Sequence, residues 1–391
     1  MTRSCDQLPA YVPSQRQSTP LSPRQSTPLS PRASMSMMMT SPRGGDNDVV
    51  TILRDLYLAL HETGKPNLTI TMLVLENVAL AGREESLCAL AQLCALAPAI
   101  TRFYLNSVSL RGDGLRVLAL RYFVNVPQLA ELTLSNNEID SRGVKVLAKV
   151  LVECARLNRK SGGLQLRRLD LNGNVIGNGG MKALAAALAA LPHLAALDVS
   201  DNDETFSQDG AVALAEALGR REVPLALRYA GVGACAALPF LCALPATRML
   251  TSLDLSRNNL NDGMTCWLMR ALMGVGTELS ELSLAQNADF TDESATMMTT
   301  ALGFLPRLAS IDLDGTGLTA DGINVLKKKL FSLKRSNVVL RYDLDYGCTG
   351  GAISEICGGG DSAAAATGSA RLPRVNAPII GARRLHRCMS F

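Results

Sequence analysis

Residues 166–191 read LRRLDLNGNVIGNGGMKALAAALAAL, and the hydrophobic period changes partway through this stretch. Leu169 and Leu171 alternate with Arg168 and Asp170, the period-2 pattern of a short strand with one buried face. After Gly180, apolar residues recur three and four apart, as on one side of an amphipathic helix. The segment therefore predicts a strand, a turn and a helix, in which a glycine without a Cβ relieves crowding where the chain enters the helix.

Outward from this stretch the same pattern recurs every 28 to 30 residues, with blocks opening at Ile70, Ile100, Leu129, Leu166, Leu194, Glu222, Leu250, Leu279 and Leu308. The inward pairs are Leu73/Leu75, Phe103/Leu105, Leu132/Leu134, Leu169/Leu171, Leu197/Val199, Leu225/Leu227, Leu253/Leu255, Leu282/Leu284 and Ile311/Leu313, with Leu340/Tyr342 offering a tenth strand. Position 9 holds Asn137, Asn174, Asn202, Asn258 and Asn287. An amide there both donates to and accepts from neighbouring turns, so a ladder of them satisfies backbone groups that stacking would otherwise bury unpaired. Val78 and Val108 stand in its place in the first two blocks and Ala230 in the sixth, whose helix Pro239 and Pro245 are expected to interrupt, which marks the sixth as the weakest layer. Leu129 and Leu166 are 37 residues apart, which inserts CARLNRKSGGLQ after the third helix, and Leu214 lies two residues late in its block.

This layout resembles the ribonuclease-inhibitor-like subfamily of leucine-rich repeats over about 70% of the chain. The resemblance implies an α/β solenoid, or horseshoe, with a parallel sheet on its concave face and helices on its convex face. Four segments are expected. Residues 1–45 form a basic Ser/Pro-rich tail that cannot bury enough apolar area to fold. Residues 46–67 hold a capping helix that begins at Asp48 and covers the first strand's edge. Residues 68–345 are the repeats, and 346–391 a flexible Gly/Ala-rich, then basic tail.

Charge is segregated, because the net +4 combines two basic ends with a mildly acidic middle. The chain opens MTRSCDQLPA without an apolar signal core, and its longest apolar run, Ala183 to Leu191, is too short to span a bilayer. The ten cysteines contain no CxxC pair. Those in helical stretches, Cys88, Cys94, Cys154, Cys235, Cys242 and Cys266, are expected as reduced packing thiols in a cytoplasmic protein.

Candidate partner-binding residues follow from the strand positions that face the concave surface. Position 5 supplies Tyr104, Asp170, Asp198, Asp254 and Asp312, and position 7 adds Asp314. The aspartates form an acidic stripe for a basic partner, with Arg168, Arg228 and Arg257 as contrasting charges; in the bland alternative Asp simply solvates the sheet. Arg156, Arg159 and Lys160 in the inserted loop offer a second, basic surface. In the tail, QSTPLSPR occurs at 17–24 and again at 25–32, and Thr19, Ser22, Thr27, Ser30 and Ser41 each precede proline. Phosphorylation there would overturn the tail's positive charge and regulate its hold on an acidic surface such as a microtubule. Cys388, fourth from the end beside Arg383, Arg384 and Arg387, resembles a prenylation box, the one route by which this sequence would reach a membrane.

Nothing converges on catalysis. Only His61, His193 and His386 exist, in separate segments, and no GxxxxGK[ST] occurs. The expectation is a non-catalytic scaffold that binds another protein, with no cofactor, metal or specific nucleic acid. The resemblance also admits a cytoskeletal or axonemal linker, and a GTPase activator of the Ran-activating type that would engage a small GTPase.

Overall fold

The computed structural model describes residues 35–40, most of 70–157, and 164–202, 208–244, 249–275, 278–343 and 353–356. One twelve-stranded sheet runs through them in chain order. Its strands are β1 (Met35–Thr40), β2 (Ile70–Glu76), β3 (Arg102–Asn106), β4 (Glu131–Thr133), β5 (Arg168–Asp170), β6 (Ala196–Asp198), β7 (Leu225–Arg228), β8 (Leu250–Asp254), β9 (Glu281–Ser283), β10 (Ser310–Asp312), β11 (Val339–Tyr342) and β12 (Ile353–Ile356). All neighbours pair parallel except the last two. From β3 onward a helix follows each strand up to β10: α1 (Arg111–Arg121), α2 (Ser141–Leu157), α3 (Gly177–Leu188), α4 (Gln208–Gly219), α5 (Ala234–Ala243), α6 (Asp262–Val275), α7 (Asp292–Ala301) and α8 (Ala320–Ser332). Consecutive strands and consecutive helices pack against each other, so each unit touches mainly its neighbours, as in a solenoid.

The core is a leucine stack between sheet and helices. Leu132 and Leu134, Leu169 and Leu171, and Leu253 and Leu255 are all buried, and so are Leu147, Leu184 and Leu268 of the facing helices. Burying each such side chain stabilises the fold by roughly 1.5–3 kcal/mol, while the single tryptophan, Trp267, stays partly exposed on α6.

The register of the sixth block differs from the spacing-based reading. Leu227, not Leu225, aligns with Leu197 and Leu253, so the inward pair is Leu227/Tyr229 and position 5 is Arg228 rather than Ala226. Leu225 pairs with Leu250 and so opens the block, with an irregularity between Leu225 and Ala226. The ladder position is therefore Val232: its N–H donates to Asn258 Oδ1 at 2.9 Å, as Asn137 N–H donates to Asn174 Oδ1 at 3.1 Å. A two-residue slip keeps every side chain on its own face, which is why alternation alone cannot detect it. The missing amide is offset by packing, since Tyr229 is fully buried and stacks on Phe240 with ring centroids 4.3 Å apart.

The two sheet edges also lie outside the expected repeat boundaries. Met35–Thr40, assigned above to the unstructured tail, pairs along β2 and holds the edge expected for the capping helix. Residues 46–67, where that helix is expected, lie outside the described residues, and β12 adds an antiparallel strand within the expected C-terminal tail. The thiol expectation holds for Cys154, which is buried, donates to Phe123 O at 3.3 Å and has its pKa pushed up to about 11 by that burial. It fails for Cys235, Cys242 and Cys266, which are exposed on the solvent side of α5 and α6.

Candidate functional site on the concave sheet

Position 5 of successive strands forms a row across the open sheet: Tyr104, Thr133, Asp170, Asp198, Arg228, Asp254, Ser283, Asp312 and Arg341. The acidic stripe is thus broken by arginine at its centre and closed by arginine at its end. Each aspartate also has a local task, accepting the backbone N–H two residues on: Asn172 for Asp170, Ser200 for Asp198, Ser256 for Asp254 and Asp314 for Asp312, at 3.0 to 3.2 Å. These Asx turns bend the chain out of the strand, which accounts for aspartate at position 5 without any partner.

The free carboxylate oxygens are partly neutralised within the sheet. Arg168 lies 3.9 Å from Asp170 and Arg228 lies 3.6 Å from Asp198. Burial, followed by the charge of neighbouring Asp170, still pushes the Asp198 carboxyl up to about 6, against the hydrogen bonds from Ser200 and the charge of Arg228. Burial also raises Asp312, with Arg341 opposing. Tyr104 donates its hydroxyl to Glu131, and burial together with that bond pushes the phenol up to about 12, so it remains a neutral donor.

Position 8, the turn after each strand, forms a second row in left-handed backbone: Asn136, Gly173, Asp201, Gly231, Arg257, Gln286 and Gly315. A Cβ on Gly231 would stand 2.1 Å from Asp201 Oδ1, and one on Gly173 the same distance from Asn136 Oδ1. Over the bare Gly231, Arg257 reaches from the seventh repeat to Asp201 in the fifth, with Nη2–Oδ2 at 2.7 Å.

The remaining predicted residues divide. Asn137, Asn174, Asn202, Asn258 and Asn287 are all buried and hydrogen-bonded between adjacent turns. Arg156 belongs to the last turn of α2, where it pairs with Glu153 at 2.6 Å, rather than to a loop. Arg159, Lys160, Thr19, Ser22, Thr27, Ser30, Ser41 and Cys388 lie outside the described residues. Among the described residues no group of three His, Cys, Asp or Glu is placed to hold a metal ion, and no helix is long and apolar enough to cross a membrane.

A family profile described as Leucine Rich repeat matches residues 166–185 and 247–263. The chain is 27% identical to the ribonuclease inhibitor of Sus scrofa over 209 residues, 53% of this chain and 43% of that protein. It is a leucine-rich-repeat protein, similar to the ribonuclease-inhibitor-like type. It is also 32% identical over 209 residues to the Tonsoku-like protein of Bos taurus, a match covering 52% of this chain and 15% of that protein. The chain therefore spans less than half the length of both curated relatives. Among solved structures, the leucine-rich-repeat-containing protein LegL7 from Legionella pneumophila superposes with a TM-score of 0.50 at 18% identity, covering 79% of this chain and 91% of that one, a likeness of fold.

Two arginines of this leucine-rich repeat were not singled out by sequence. Arg221, ahead of β7, reaches back to Leu188 O, Leu191 O and Leu194 O at 2.8 to 3.3 Å, closing the carbonyl end of α3. Arg335, ahead of β11, does the same for Leu302 O and Leu305 O after α7. A cation there complements the negative end of the helix dipole; the only sequence signal is a basic residue shortly before a strand. Asn106 and Ser135, which stand beside Tyr104 and Asp170 on the sheet, were passed over as well, and Thr133, which spacing places at position 5, was not singled out as a contact residue.

Proposed function

We propose that this leucine-rich-repeat protein is a non-catalytic scaffold that holds another protein against its concave sheet. The observation that carries this reading is the face itself: short strands with a fixed register present Arg102, Arg228 and Arg257, all about half exposed, beside partly buried carboxylates. Such a surface offers many weak polar contacts in fixed positions, which gives register and partner choice more than raw affinity. Leucine-rich repeats with this fold are typically binding scaffolds, and the present reading extends that role to this chain.

The test is affinity capture with quantitative mass spectrometry from the native cell, using the full chain. A concave variant carrying Arg102→Glu, Arg228→Glu and Arg257→Glu is compared with a convex one carrying Lys182→Glu and Arg220→Glu. Loss of the same partners by tenfold or more with the concave variant only is expected. Equal capture by both variants, each folded by circular dichroism, would reject the concave face as the binding surface.

A further inference from the structure

The hydrogen bonds at the N-terminal end of the concave sheet leave a gap in the middle. On β3, Asn106 directs its Nδ2 toward β2, donating to Glu76 Oε1 at 3.2 Å, so its Oδ1 points the other way, toward β4. Following β4, Ser135 turns its hydroxyl away from Asn106 and donates to Asp170 Oδ1 at 2.9 Å. Between these two bonds lie two buried oxygens with no partner, the amide Oδ1 of Asn106 and the hydroxyl Oγ1 of Thr133. Thr133 is only 6% exposed, stands between Tyr104 and Asp170 in the position-5 row, and leaves the core to Leu132 by strand alternation. Buried oxygens left unpaired are costly, so each calls for an explanation.

What the gap lacks is a group that donates to both oxygens, since Asn106 Oδ1 can only accept and Thr133 Oγ1 can accept while its own hydrogen turns elsewhere. Around it stand the two orphaned oxygens, the carboxylate of Asp170 and the ring of Tyr104, whose hydroxyl is already committed to Glu131. A guanidinium matches such a set: it is planar, has several N–H donors and no acceptor, and stacks on aromatic faces. The residue nearest to that role now is Arg168, but it meets Asp170 at 3.9 Å, the long limit of an ion pair, and stays about a third exposed. An arrangement this loose is cheap to exchange.

We propose that Tyr104, Asn106, Thr133 and Asp170 form a receptor for one arginine side chain of a protein partner, taken up when Arg168 swings aside. This rests on the scaffold reading above and narrows it to a residue and a spot on the sheet. A lysine, with a compact charge and no flat fork, satisfies fewer of the four groups.

The probe is N-acetyl-arginine amide, with N-acetyl-citrulline amide as its neutral twin, titrated into the full chain labelled at threonine methyl groups for NMR. A saturable shift of the Thr133 methyl signal with the arginine amide, and none with citrulline, is expected. Asp170→Asn retains the acceptor for the Asn172 amide, so the turn stays intact, and should weaken binding at least tenfold. Arg168→Ala removes the internal competitor and should strengthen it severalfold, whereas Arg220→Ala on the convex side should leave it unchanged. Absence of a saturable shift, an equal response to citrulline, or weaker binding in Arg168→Ala would overturn the proposal. Should the arginine amide fail to bind while the concave charge reversals still abolish partner capture, this receptor falls and the scaffold stands.

Discussion

Asn174→Ala removes a fully bonded rung of the asparagine ladder, and its cost can be worked from the contacts. The Asn174 Oδ1 accepts from the N–H of Asn137 at 3.1 Å and of Ile139 at 3.0 Å. Its Nδ2 donates to Leu134 O, Leu171 O and Asn172 O at 2.9 to 3.0 Å, and the side chain is 3% exposed. Truncation strands two N–H groups one repeat away, each costing about 1–3 kcal/mol when buried without a partner. Carbonyls tolerate partial satisfaction better, so the loss should total about 3–5 kcal/mol. Solenoid stability is a sum of layer and interface terms, and the damage should concentrate between the third and fourth repeats. Native-state hydrogen exchange is the assay: the Asn137 and Ile139 amides should lose protection by two or more orders of magnitude, while Asn258 in the seventh repeat changes far less. Unaltered exchange at Asn137 and Ile139 together with a stability loss below about 1 kcal/mol in urea would refute the view that this amide satisfies both turns. Asn174→Asp gives a second reading. It keeps the acceptor but aims an oxygen at the three carbonyls, so burial and those carbonyls raise its folded pKa above the unfolded value of about 3.9. Its stability relative to wild type should therefore be best in acid and fall as pH rises through that folded pKa.

Asp198, held up to about 6 by burial and by Asp170, follows the same sign in the native protein. Its folded pKa lies above the unfolded one, so its favourable contribution is complete below about pH 4 and is lost as pH rises through 6; Asp198→Asn should gain on the order of 1 kcal/mol relative to wild type between pH 4 and pH 7, measured by urea titration at both. Gly231→Ala should cost about 1–3 kcal/mol, because the position has φ +65 and its Cβ would meet Asp201 Oδ1 at 2.1 Å; a thermal midpoint equal to wild type would contradict the close approach. Arg221→Met retains much of the buried stem but removes the donors to Leu188, Leu191 and Leu194, with an expected loss of about 2 kcal/mol and faster exchange in the last turn of α3.

How much of this was readable in advance depends on whether a property is local. The LxL pairs, the asparagines and the position-5 residues of eight blocks carry their own signal, because a strand's alternation and an amide's need for partners act within one unit. The sixth block shows where such reading stops. LALR at 225–228 offers Leu225 and Leu227 at the right interval, and nothing local says that Leu225 opens the block while Leu227 and Tyr229 point inward. The decisive fact is alignment with Leu197 and Leu253 on the neighbouring strands. The two extra residues after Asn202 were visible in the sequence, yet their consequence, a displaced register one repeat later, required carrying the count across a turn.

That displacement reshapes the candidate site. With Ala226 at position 5, Asp198 and Asp254 would flank a neutral gap, and the concave face would be an acidic stripe suited to a generally basic partner. With Arg228 there, Asp198 has a cation beside it at 3.6 Å, the stripe is interrupted at its centre, and broad electrostatic attraction gives way to matching of individual groups. The part of the row that remains unmatched is not its most acidic part but the polar end at Tyr104, Asn106 and Thr133, where two buried oxygens lack donors. Residue types alone could not locate that end, since Asn and Thr are ordinary on any sheet. Their orphaned state arises from the direction of the hydrogen bonds around them: Asn106 toward Glu76, and Ser135 toward Asp170.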